Sequence, residues 1–95
     1  MTAQEMERTD VALLDAQKDH ERWLIEHLAR EAGIKPEEID AKAPFSRYGL
    51  DSVAAVTMVG DLEQELGIEL SPTLPYEYPT PEALAQHLAG LARKG

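Results

Sequence analysis

Ser52 is the side chain with the most chemical promise, because of what surrounds it. Gly49-Leu50-Asp51-Ser52 comes just before Ala55, Met58, Val59, Leu62 and Leu66, spaced i, i+3, i+4, i+7 and i+11. That spacing is the apolar stripe of a 3.6-residue helical period. A serine at the start of this helix sets its hydroxyl among backbone N–H groups that lack intrahelical partners, at the positive end of the dipole. A phosphate esterified to Ser52 is stabilised there. Asp51 beside it suits a hard divalent cation such as Mg²⁺ held against an incoming diphosphate. The plainer role for either residue is the helix cap, since Asp and Ser both accept from free N–H groups at that position.

Other reactive arrangements are weak. Ser52 lacks the Gly-x-Ser-x-Gly elbow of a hydrolase nucleophile, and a 95-residue helical chain has little room for an oxyanion hole and a base. His20 and His27 stand seven apart with no third ligand and no His-Glu-x-x-His pattern, so no metal site is expected. The absence of cysteine removes disulfides, thiolate zinc sites and cysteine nucleophiles together. Trp23, Tyr48, Tyr76 and Tyr78 read as packing residues, and His87 as a surface or half-buried neighbour of the last apolar face.

The elements that must position Ser52 follow from periodicity. Residues 1–17 are mostly polar, with one small apolar group at Val11, Leu13 and Leu14, and read as either a loosely ordered arm or the exposed lead-in to a longer helix. Trp23, Leu24, Ile25, Leu28, Ala29 and Ala32 mark a helix over residues 18–32, closed by Gly33 with Ile34 folding back on its last turn. Pro36-Glu37-Glu38 can start a single turn, and Ile39, Phe45, Tyr48 and Leu50 are expected to plug the core from the connection. The Ser52 helix ends at Gly67. Prolines 72, 75 and 79 allow only one short turn around Leu74 to Tyr78. Thr80-Pro81-Glu82 opens a last helix with Leu84, Ala85, Leu88, Leu91 and Ala92 on its apolar side and Arg93 and Lys94 near its C-terminus. No segment alternates like a strand. The expected class is all-α, with an arm over residues 1–17 and one domain over residues 18–95.

Composition narrows the partners. Eighteen acids against nine bases leave a formal charge of −9 and a pI near 4.6. This excludes a phosphate-backbone binder and favours partners rich in Lys and Arg. No apolar run approaches the roughly 18 residues needed to span a bilayer, and residues 1–10 lack the basic and apolar regions of a signal peptide. A cytoplasmic monomer, free of nucleic acid and membrane, is the expectation.

Gly49-Leu50-Asp51-Ser52-Val53 resembles the signature of acyl carrier proteins. The likeness extends upstream through Pro44-Phe45-Ser46-Arg47-Tyr48 and downstream through Leu74-Pro75-Tyr76-Glu77-Tyr78-Pro79-Thr80, in the manner of polyketide synthase carriers. It covers about residues 18–92. The resemblance implies a four-helix bundle of three long helices and one short one, catalysing nothing itself. It implies that a phosphopantetheinyl transferase moves 4′-phosphopantetheine from coenzyme A to Ser52, with Asp51 helping to bind Mg²⁺ transiently during transfer. Acyl or polyketide intermediates then travel as thioesters on the arm's thiol, which belongs to the cofactor and not to the chain. The expected partners are an acyl-activating enzyme or acyltransferase, and a ketosynthase or other synthase domain. The two flanks look similar to carriers loaded by a fatty acyl-adenylate ligase. The rival readings are a peptidyl carrier of nonribosomal peptide synthesis and an acidic interaction module without an arm.

Charge and periodicity supply a docking face beside Ser52. From Tyr48 to Ala92 there are seven acids and no Lys or Arg, which suits reversible docking on basic enzyme surfaces. Val53, Val56 and Gly60 share the Ser52 side of the helix, and Asp61 and Glu63 add charge. These five are the expected partner contacts. Gly60 is either simply tolerated or leaves room for close approach, at about 1 kcal/mol relative to alanine.

Overall fold

No proline or glycine interrupts residues 3–32, and good helix formers fill them, so the first helix is far longer than its apolar stripe. The computed structural model describes the backbone of residues 3–94 and the side chains of residues 15–91. Helix α1 runs over Ala3–Ala32. Of the two readings of residues 1–17, the backbone of residues 3–17 follows the helical one, with no break at residue 17 or 18. Apolar periodicity marks only the part of a helix that packs, which is why the stripe begins near Trp23. Gly33, at φ 71°, ends the helix in the left-handed region, and the Ile34 N–H donates to the Ala29 carbonyl at 3.0 Å.

The connection to α2 holds two 3₁₀ turns, Pro36–Glu38 and Phe45–Tyr48, the second of which the sequence does not announce. Ile39 and Phe45 are buried, and Tyr48 and Leu50 pack half-buried against the same core, so the connection is a plug as expected. The Tyr48 hydroxyl accepts from the Asp40 N–H at 2.7 Å and ties the two turns together. Helix α2 spans Ser52–Leu66, the single-turn α3 spans Leu74–Glu77, and α4 spans Pro81–Lys94. Thr80 caps α4, its Oγ1 accepting from the Ala83 N–H at 3.1 Å. Among the described residues there is no strand, and the bundle has three long helices and one short one. Among the described residues no helix is long and apolar enough to cross a membrane.

The core joins Leu24, Leu28 and Ala29 of α1 to Met58, Val59 and Leu62 of α2 and to Leu84, Ala85 and Leu88 of α4. One expected apolar position is exposed, Ala32 at the end of α1. Leu66, like Trp23, Ile25 and Leu91, is half-buried and packs against the core. The expected apolar role of Ala92, and the placement of Arg93 and Lys94, fall outside the described side chains.

His27 is the buried polar residue that periodicity missed. It is 3% exposed and stacks on Trp23 with ring centroids 5.2 Å apart. Its Nδ1 lies 3.9 Å from Asp61 Oδ2 on α2, and its Nε2 lies 4.0 Å from Glu31 Oε1 and has no hydrogen-bond partner. Burial lowers its pKa, against the pull of Glu31 and Asp61 and with a smaller push from Arg30. The fold therefore favours the neutral ring, and the unfolded chain takes up the proton first as pH falls. Its contribution to stability is complete above the ordinary imidazole value of about 6.5 and is lost progressively below it. Thermal unfolding of His27→Gln should accordingly show a flatter stability profile than wild type between about pH 7 and pH 5. Parallel profiles would contradict a neutral, buried ring.

Candidate functional site

The chain reaches Ser52 through a tight reversal. Gly49 closes the second 3₁₀ turn at φ 79°, a conformation that side-chain-bearing residues rarely adopt, and its N–H donates to Ser46 O at 3.2 Å. Phe45 N–H donates to Pro79 O at 2.8 Å, and Glu82 N–H donates to Ala41 O at 2.9 Å. These two bonds pin the connection that leads into α2 against the segment leading into α4.

At that start the two cap candidates separate. Asp51 is the extended N-cap residue, and its Oδ1 accepts from the Ala54 N–H at 2.8 Å. Its carbonyl takes the first helical bond, from Ala55 N–H at 2.8 Å. Ser52 is the first helical residue and is exposed. Among the described residues its hydroxyl has no hydrogen-bond partner. Asp51 therefore satisfies the helix end, and Ser52 is left with a free hydroxyl beside the open N–H groups of the first turn. Substitution at Ser52 Oγ breaks no hydrogen bond among the described residues.

Apolar surface lies on both flanks. Val53 is 74% and Val56 55% exposed, and with Ser52 and Thr57 they line a shallow depression. Thr57 turns its hydroxyl inward to Val53 O at 3.1 Å, which keeps that depression apolar. One turn further, Gly60 has nothing within 4 Å of where a Cβ would stand, so no internal packing requires a glycine. The other flank is a second depression walled by Pro44, Leu50, Pro75, Tyr76 and Pro79. Tyr76 is 63% exposed and is a wall of this depression, not a packing residue as its sequence context implied. A tyrosine two residues from the half-buried Tyr78 carries no sequence signal that tells the exposed ring from the packed one. Trp23, Tyr48 and Tyr78 pack against the core, and His87 is half-buried, stacked on Tyr78 at 4.3 Å.

The two acids expected on the docking face differ in freedom. Asp61 is exposed on the α1 side of α2, where it faces His27. Glu63 is half-buried, and its Oε2 accepts from the Leu70 N–H at 2.8 Å, fixing the loop after α2. Among the described residues no group of three or more His, Asp or Glu could hold a metal ion.

Residues 22–88 match the family described as "Phosphopantetheine attachment site". The chain belongs to that family. It is a carrier domain of the acyl carrier protein type. The match begins within α1, after the stretch whose helix extends to Ala3. The carrier is 44% identical over 73 residues to mycoketide-CoA synthase of Mycobacterium tuberculosis, across 72% of this chain but 2% of that synthase. Its fold is similar to a free-standing peptidyl carrier protein of Acinetobacter baumannii, with a TM-score of 0.75 and 39% identity over 79% of this chain and 94% of the other. It is equally similar to an acyl carrier protein of Anabaena with a variant phosphopantetheinylation-site sequence. There the TM-score is 0.76 and the identity 38%, over 81% and 88% of the two chains.

The split between cap and free hydroxyl is measurable. Asp51→Ala should lower stability by about 1 kcal/mol through the lost cap, whereas Ser52→Ala should leave it nearly unchanged. Equal losses in chemical denaturation would mean that Ser52 shares the cap.

Proposed function

We propose that this carrier domain holds a 4′-phosphopantetheine arm on Ser52 and presents acyl or polyketide intermediates to the enzymes of a biosynthetic assembly line. The observation that carries the reading is the free Ser52 hydroxyl at the α2 N-terminus, with Asp51 occupying the cap. In the transfer, Ser52 Oγ forms a bond to the pantetheine-bearing phosphorus of coenzyme A. The bond from that phosphorus to the bridging oxygen breaks, adenosine 3′,5′-bisphosphate leaves, and the hydroxyl proton passes to the transferase. Asp51 Oδ1 is engaged by Ala54, and its other oxygen is the one available to Mg²⁺ as the diphosphate is drawn in. The arm supplies a thiol on which acyl groups ride as thioesters. The domain's own residues bind and orient, and catalyse nothing.

Likeness to a polyketide synthase supports synthase-type partners: a phosphopantetheinyl transferase, an acyl-activating enzyme such as a fatty acyl-adenylate ligase or an acyltransferase, and a ketosynthase. The proposed contact is Val53, Val56 and Gly60 for apolar approach, with added charge from Asp61, which faces His27 on the α1 side. Glu63 adds a charge that is fixed in place by Leu70. Similarity to a peptidyl carrier keeps aminoacyl cargo as the second reading.

Intact mass after incubation with coenzyme A, Mg²⁺ and a broad-specificity transferase should show one added phosphopantetheine on wild type and none on Ser52→Ala. An unmodified wild type would leave only an acidic interaction module. Val56→Asp should fold normally, since the side chain is exposed, yet acquire acyl groups about tenfold more slowly, in line with an apolar contact of roughly 1.4 kcal/mol. Unchanged loading kinetics would move the docking face elsewhere.

A further inference from the structure

We propose that His27 is a proton-operated latch between α1 and α2, which on taking up a proton draws Asp61 of α2 inward and withdraws that carboxylate from the surface. The ring is 3% exposed and is stacked on Trp23, so packing holds its orientation. Two carboxylates flank it, one at each nitrogen. Asp61 Oδ2 stands 3.9 Å from Nδ1, and Glu31 Oε1 stands 4.0 Å from Nε2. Both separations are about 1 Å longer than a charge-assisted N–H···O bond. Nε2 is buried and has no hydrogen-bond partner.

A neutral imidazole cannot satisfy this arrangement. One of its nitrogens donates while the other presents a lone pair, so in either tautomer one carboxylate faces a lone pair. Only the imidazolium offers a donor to both. Against that stands burial, which disfavours the charged ring. The charges acting on the ring are Glu31 and Arg30 of its own helix and Asp61 of α2. Burial is the largest influence, the two carboxylates favour protonation and Arg30 opposes it, so the change comes below the ordinary imidazole value of about 6.5. The side chains of Glu31 and Asp61 are 55% and 51% exposed, so each can move without unpacking the core. A proton taken from solvent leaves an N–H at both ring nitrogens. Each carboxylate then closes by about 1 Å onto its donor, and Asp61 ties α2 to α1. These bonds offset part of the burial cost, in keeping with the stability lost below that value. What the latch does to docking rests on the carrier reading, in which Asp61 belongs to the partner contact. The latch itself rests on the geometry around His27.

Carbon-13 NMR of the full chain, titrated from about pH 8 to about pH 5, tests it. The Asp61 carboxyl carbon should shift in step with the His27 ring, at one shared midpoint above the ordinary carboxylate range. That step should vanish in His27→Gln. Asp61→Asn should lower the His27 midpoint, because it removes one of the two anions that favour the charged ring. Glu31→Gln should lower it too, while keeping the Asp61 step. Thermal melts check that the variants are folded, and if His27→Gln is not, the exposed Asp61→Asn decides. For docking, the ratio of wild-type to Asp61→Asn rates of phosphopantetheine transfer by one transferase should fall towards one as pH drops through the His27 midpoint. A wild type that is never modified counts against the carrier reading and leaves the titration to judge the latch. The proposal is overturned by an Asp61 carboxyl carbon that ignores the His27 step, or by a midpoint that Asp61→Asn leaves in place. A rate ratio that stays constant across the midpoint overturns it as well.

Discussion

The first turn of α2 has one set of unsatisfied N–H groups and two adjacent side chains able to satisfy them. Asp51 takes the cap, bonding Ala54 N–H at 2.8 Å. Had Ser52 taken it, the hydroxyl would be engaged and shielded by the backbone, and the helix end would be poorly arranged to receive a phosphate. Much of the rest of the fold supports that assignment. Gly49 makes the reversal that delivers Asp51 in an extended conformation, and the Phe45 bond to Pro79 holds the turn ahead of it in place. Burial of Met58, Val59 and Leu62 fixes the rotation of α2, so that Val53 and Val56 have to face outward.

Charge divides the molecule in the same way. Lys18, Arg22, Arg30, Lys35, Lys42 and Arg47 all belong to α1 and the connection after it, while the stretch from Tyr48 to Ala92 has only acids. The side that carries Ser52 is therefore the acidic one, and the mixed charges lie on α1 and the connection after it. An exposed apolar surface flanked by carboxylates is a compromise: Val53 and Val56 cost solubility that the surrounding acids restore. The proposed contacts, built in this way, are easily reversed.

Some of these features were readable from residue order alone. The α2 stripe, the Gly67 stop, the Thr80-Pro81 start and the plugging residues Ile39 and Phe45 all follow from short-range rules, because period, proline and glycine act within a few residues. The long α1 was half legible, since a polar helix has no apolar period to betray it. His27 was opaque. A histidine beside an apolar stripe reads as surface until Trp23 and the α2 helix are seen to cover it. Tyr76 and Tyr78 differ in exposure although their neighbours in sequence are nearly alike.

The sequence by itself determined the helical class, the positions where helices start and stop, the acidic balance and the motif around Ser52, because each depends on neighbours along the chain. Only the tertiary structure decided which of Asp51 and Ser52 caps α2, that Glu63 is committed to Leu70, and that Tyr76 faces outward. Those outcomes depend on side chains competing for the same partners, and on elements distant in sequence arriving at the same place. Neither is written in local spacing.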